Sequence, residues 1–146
     1  MASNPDKPNF ADLCILVVSD RDLQLLLVPF LQEMGCREIA RAVDSNAAKA
    51  HLQHSGNRVD LVICRLNLTE GDGLDVLEYL REHRGGTPFL MLAATATGDT
   101  IARAQKLGVS GFLAIPFTAG GLTKRVTTIM TNWHSELSDE DVWLIE

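Results

Sequence analysis

The sequence predicts an α/β fold, a five-stranded parallel sheet covered by helices on both faces. Three observations lead there. Runs of apolar, often β-branched residues recur at 13–18, 59–64 (interrupted by Asp60), 89–94 and 111–115, the pattern of strands buried on both faces. Each run is halted by polar residues, a glycine or a proline and gives way to apolar residues at helical spacing. Strand and helix signals alternate along the chain, five of each, with no internal repeat and no second domain.

Taken in order, residues 1–10 are polar, contain Pro5 and Pro8, and read as a flexible leader, neither signal peptide nor anchor. Residues 13–18 are the first strand, stopped by Ser19-Asp20-Arg21-Asp22. Leu23, Leu26, Leu27, Phe30, Leu31 and Met34 then follow helical spacing, and Gly35 suits a C-terminal cap. Pro29 breaks a rule inside that helix: it removes a backbone donor and predicts a kink. Residues 37–43 form a short strand whose polar interruptions suit a sheet edge.

Asp44-Ser45 caps an Ala-rich helix through Leu52, and Gly56-Asn57 turns the chain into the central strand. Gly71-Asp72-Gly73 makes a turn before a helix from Asp72 to about Glu82, striped by Leu74, Leu77 and Leu80. After Gly85-Gly86, residues 89–94 are the fourth strand. Gly98-Asp99-Thr100 opens a helix ending near Leu107-Gly108, and residues 111–115 are the fifth strand, halted by Pro116. Thr118 caps the last helix, whose stripe is Leu122, Val126, Ile129 and Trp133. Gly120-Gly121 and Thr123, Thr127, Thr128 and Thr131 make that helix intrinsically weak, so it depends on packing.

With 146 residues the chain suits one domain, here 11–131, with a core large enough to fold alone. Hydrophobic content of 46% with 22% charge is ordinary for a globular protein. The net charge is −6, but residues 132–146 alone contribute −5 through Glu136, Asp139, Glu140, Asp141 and Glu146, leaving −1 for the rest. A near-neutral body with an acidic C-terminal tail offers no footprint for nucleic acid or an anionic membrane. No apolar run approaches the roughly 18 residues of a membrane span. Cys14, Cys36 and Cys64 are an odd count without CxxC spacing, which reads as reduced thiols in a cytoplasmic protein.

The central strand ends on a charge, Arg65, at the edge where open α/β sheets bind ligands and do chemistry. Around it lie three motifs: Ile15-Leu16-Val17-Val18-Ser19-Asp20; Asp60-Leu61-Val62-Ile63 followed by Gly71-Asp72-Gly73-Leu74; and residues 104–113 (Ala-Gln-Lys-Leu-Gly-Val-Ser-Gly-Phe-Leu) running into Pro116-Phe117. In this order and spacing the chain resembles, over residues 12–131, the receiver domains of bacterial two-component response regulators, the CheY-like family. The resemblance implies a doubly wound, flavodoxin/CheY-like sheet of strand order 2-1-3-4-5.

It also implies a reaction against which the residues can be checked. A working receiver moves a phosphoryl group from a kinase histidine to an aspartate on the third strand. Carboxylates after the first strand hold Mg²⁺, and a lysine after the fifth strand and a hydroxyl after the fourth stabilise the transferred charge. Here the acceptor position holds Arg65, whose guanidinium has no lone pair to offer. The first metal acid is Ser19, leaving Asp20; the hydroxyl position is Ala93 and the lysine position Ile115. Phe112 fills the aromatic switch position, with Ala93 its partner switch position, and Asn67 the one that lends a carbonyl to the metal.

The resemblance therefore implies the fold without the reaction: a degenerate pseudo-receiver, not an enzyme, without cofactor or metal, acting as a signalling adaptor. Its partner would be a histidine kinase, another regulator or a second copy, met on the face of the fourth helix, fifth strand and fifth helix through Ile101, Gln105, Phe112, Leu122 and Val126. Two alternatives stand beside it. One is a nucleotide-like small molecule in the strand-end crevice, as flavodoxins hold FMN; the other is phosphotransfer to an unusual acceptor.

Individual residues carry further expectations. Arg65 either pairs with Asp20, with Asp22 also in reach, or extends into solvent; pairing is favoured because carboxylates at this depth rarely stay unpaired. One carboxylate beside an arginine is a poor Mg²⁺ site. His51 and His54 share a helix face but lack a third ligand, and Cys64 reads as an inert strand thiol. Gly71-Asp72-Gly73 lacks the length and lysine of a phosphate-cradling loop. In the tail, Trp133, Trp143 and Leu144 are apolar anchors that either pack on this domain or dock into a partner groove.

Overall fold

The computed structural model describes residues 10–131. The leader apart from Phe10, and the tail with Trp133, Trp143 and Leu144, lie outside the described residues. Strands β1 (Cys14–Val18), β2 (Glu38–Ala42), β3 (Leu61–Arg65), β4 (Phe89–Ala93) and β5 (Gly111–Ala114) form one parallel sheet in the order β2-β1-β3-β4-β5. Between and after them run α1 (Arg21–Glu33), α2 (Ser45–Gln53), α3 (Gly73–Arg84), α4 (Gly98–Lys106) and α5 (Ala119–Thr131). The polar-interrupted β2 is at an edge, as its sequence predicts.

The pleat divides the core in two. Leu16, Val18, Val62, Cys64, Phe89, Met91 and Phe112 face α2, α3 and α4. Their alternates Ile15, Val17, Leu61, Ile63, Leu90, Leu92 and Leu113 face α1 and α5. Both strand faces are thus buried, which is why the strands are continuous apolar runs without alternation.

Each helix is started by a side chain that takes one of its orphan amides. The carboxylates of Asp20, Asp44 and Asp72 accept from the amides of Leu23, Ala47 and Asp75 at 3.2, 2.8 and 2.8 Å. Thr97 accepts from Thr100 at 3.2 Å, and Thr118 from Gly121 at 2.9 Å. The threonine-rich α5 is held by burial of Leu122, Val126, Ile129 and Met130. At the start of α3 the backbone comes so close that a Cβ on Gly73 would stand 2.6 Å from Met91 Sδ and 2.9 Å from the Arg65 carbonyl oxygen. Glycine is the residue that fits there.

Two expectations are corrected. Leu26 is 44% exposed, and Val28 faces the core in its place. The six apolar positions read as one stripe are wider than one helix face, and the buried set steps through Leu23, Leu27 and Leu31 four residues at a time. Phe10, assigned to the leader, opens a 3₁₀ turn (Phe10–Asp12) and packs on the α1 side of the core. Pro29 lies inside α1, which continues past it to Glu33.

Candidate functional site

Strand order reverses between β1 and β3, and a crevice opens at their carboxyl ends in such sheets. Two charged side chains meet there. Asp20 follows β1 and caps α1, while Arg65 is the last residue of β3. Arg65 Nη1 donates to Asp20 Oδ1 at 2.7 Å, while the other oxygen, Oδ2, accepts from the Leu23 amide. The two side chains are 31% and 35% exposed, so the pair is partly screened and contributes about 1 kcal/mol.

Electrostatics follow from that geometry. Burial pushes the Asp20 carboxyl up, but the Arg65 hydrogen bond, the Leu23 amide and the guanidinium charge together outweigh it. The net result lies below the usual value. The ion pair goes to Asp20; Asp22, exposed in the first turn, is not joined to Arg65.

The remaining strand-end positions are brought to the same edge. Ser19 is fully buried, and its hydroxyl donates to the Asp20 carbonyl at 3.0 Å. Ala93 closes β4 and its carbonyl accepts from the Ile115 amide at 2.9 Å, setting the two side by side. Ile115 packs its side chain on the α1 and α5 side of the core. Asn67 is exposed and bridges to Asp72. For a magnesium ion this donor set does not fit: Asp20 is a single carboxylate with one oxygen on a guanidinium and the other on an amide.

Phe112, Leu122 and Val126, expected on a contact face, are buried at 1%, 0% and 0%. Phe112 points to the α4 side of the sheet and the other two are the inner stripe of α5. Ile101 and Gln105 on α4 remain partly exposed. Cys64 is fully buried, with burial and then Asp72 raising its thiol well above the ordinary value, which leaves it unreactive. His54 ends α2 as its C-cap, and no group of three metal-ligating side chains occurs among the described residues.

Other polar anchors carry no signal in the local sequence: Gln24, Ser45 and Asp75 lie near the site, whereas Arg81 lies at the opposite, amino-terminal edge of the sheet. Gln24 is buried and donates to the carbonyls of Ser19 and Ala42, both at 2.9 Å, tying the ends of β1 and β2 together. Ser45 and Lys49 of α2 both reach Asp75 Oδ2, at 2.5 and 2.8 Å. Arg81 of α3 donates to the carbonyls of Gly85, Thr87, Leu107 and Gly108, at 2.6–2.8 Å.

The family model of the response regulator receiver domain matches residues 15–127. The chain belongs to that family. This receiver is 33% identical over 118 residues to chemotaxis protein CheY of Pseudomonas aeruginosa, across 79% of this chain and 94% of that protein. Its fold is similar to that of a two-component response regulator from Clostridium difficile (TM-score 0.76, 24% identity, 85% of this chain and 100% of that one). The HemR receiver domain from Leptospira biflexa is similar as well (TM-score 0.73, 26% identity, 87% and 98%). Receivers are in general signalling modules that act through other proteins, kinases and regulators among them. No helix among this receiver's described residues is long and apolar enough to cross a membrane.

Proposed function

We propose that this receiver is a non-catalytic, cytoplasmic signalling adaptor, a pseudo-receiver that acts through protein–protein contact without aspartyl phosphorylation. The observation that carries the reading is the 2.7 Å bond from Arg65 to Asp20. A receiver's reaction needs a carboxylate nucleophile at the end of the third strand, and the guanidinium of Arg65 stands at that place as a pure donor. It supplies the positive charge that a metal would otherwise bring to Asp20.

The neighbours support the same reading. Ala93 has no hydroxyl and Ile115 no ammonium to steady a phosphoryl group, and the Ser19 hydroxyl is turned to a backbone carbonyl. With nucleophile, hydroxyl and cation replaced together, the site holds one state. Regulation then comes from the supply of a partner: a histidine kinase, another regulator or a second copy. On the face of α4, β5 and α5, the side chains free to meet it include Ile101 and Gln105 with the exposed Arg103 and Lys106.

Incubation with phosphoramidate or acetyl phosphate and Mg²⁺, read by intact mass, tests the reading. Unmodified protein is expected. A phosphoryl adduct released by hydroxylamine would overturn it.

A further inference from the structure

Among the described residues, an apolar groove flanked by unpaired cations lies outside the strand-end site. It lies between α1 and the edge strand β2, encloses about 470 Å³, and is lined by Arg21, Leu25, Val28, Pro29, Gln32 and Arg41. Leu25 is 75% exposed, the most exposed large apolar side chain among the described residues. Arg21 and Arg41 are exposed, and neither has an ion pair or hydrogen bond with another described residue. Pro29 has no N–H, so the Leu25 carbonyl four residues earlier loses its helical donor.

The sequence holds a segment of matching chemistry. Trp143-Leu144-Ile145 is apolar and is flanked by Asp139, Glu140, Asp141 and Glu146, with no lysine or arginine between residues 132 and 146. Its indole N–H is a donor in need of an acceptor when the ring is covered. The segment also starts within reach. Thr131, the last described residue, belongs to α5 on the same face of the sheet as α1, and the dozen residues from there to Trp143 span up to about 40 Å when extended. A domain of this size is roughly 35 Å across.

We propose that this C-terminal segment docks into the α1–β2 groove of its own domain. Trp143, Leu144 and Ile145 cover Leu25, Val28 and Pro29, and the flanking carboxylates pair with Arg21 and Arg41. The groove adjoins the cap of α1 at Asp20, so a protein competing for it displaces the tail beside the strand-end site. The inference is independent of whether the receiver accepts phosphate.

Both tryptophans lie in the tail, so fluorescence reports on it directly. In full-length W133F, Trp143 is the one fluorophore of its kind. Its emission is expected to be blue-shifted and shielded from acrylamide relative to the same chain in urea. The shielding is expected to be lost in W133F/L25E and in W133F/R21E/R41E; Leu25, Arg21 and Arg41 are exposed, and unchanged far-ultraviolet circular dichroism will confirm that the variants fold. Trp143 as quenchable in the native chain as in urea would overturn the proposal. So would shielding that both variants retain, or shielding that rises with protein concentration alongside dimer in sedimentation, which would place a second copy in the groove.

Discussion

Asp20 and Arg65 stand 45 positions apart in the sequence and 2.7 Å apart in the fold. The sheet brings them together because β1 and β3 are neighbours, with Val18 beside Cys64, so the residues that follow face each other across the switch point. A carboxylate at that place has two ways to balance its charge, a bound cation or a fixed one. This receiver has the fixed one.

Removing the guanidinium is expected to lower stability modestly. Arg65→Ala should cost about 1 kcal/mol in urea unfolding, since the pair is charge-assisted but a third exposed. An unchanged or raised midpoint would show that the bond contributes nothing.

The same pair makes stability depend on acid. The folded Asp20 carboxyl lies below the 3.8 of a free aspartate. A lowered carboxyl contributes stability above the unfolded value and loses it as pH falls through the folded one. The difference in unfolding free energy between wild type and Arg65→Ala is therefore expected to hold steady from about pH 7 to pH 5 and to close below 3.8.

Reversing the charge is expected to create what the wild type lacks. In R65D two carboxylates face each other at the strand ends, which repel without a cation and offer it oxygen ligands with one. Millimolar Mg²⁺ should raise the melting temperature of R65D and leave that of the wild type where it is. A wild-type response of equal size would remove the fixed-cation account.

Gly73→Ala is expected to be more damaging than a helix propensity scale suggests. Alanine favours helix, yet its methyl would meet Met91 Sδ at 2.6 Å and the Arg65 carbonyl oxygen at 2.9 Å. The clash involves rigid backbone beside the site, so a loss of about 1–3 kcal/mol in chemical denaturation is expected.

Arg81→Met is expected to cost about 2–3 kcal/mol, because four backbone carbonyls in the loops that lead into β4 and β5 lose a charged donor together. Arg81→Lys should recover little of this, since an ammonium cannot reproduce the planar fork. Thermal unfolding of the two variants side by side decides it.

These residues also mark how far the sequence could be read. Strand runs, aspartate caps and glycine turns are local signals, and they placed all five strands and helices. The Asp20–Arg65 pair was legible because fold and strand order put two known positions at one edge. Direction was harder. An apolar stripe at helical spacing is the side that faces the sheet, so Leu122 and Val126, whose element alone suggests a contact face, are core. Phe112 on β5 turns inward for the same reason, since both strand faces are covered. Gln24 and Arg81 left no trace, because each serves carbonyls supplied by other elements, up to 27 positions away.

The most direct measurement is the side-chain carboxyl titration of Asp20, followed by carbon-13 NMR in the wild type and in Arg65→Ala. With the guanidinium in place the carboxyl should titrate below 3.8; without it, burial is opposed only by the backbone amides of Leu23 and Asp20 and the midpoint should rise. Identical titrations in the two proteins would contradict the claim that Arg65 neutralises Asp20.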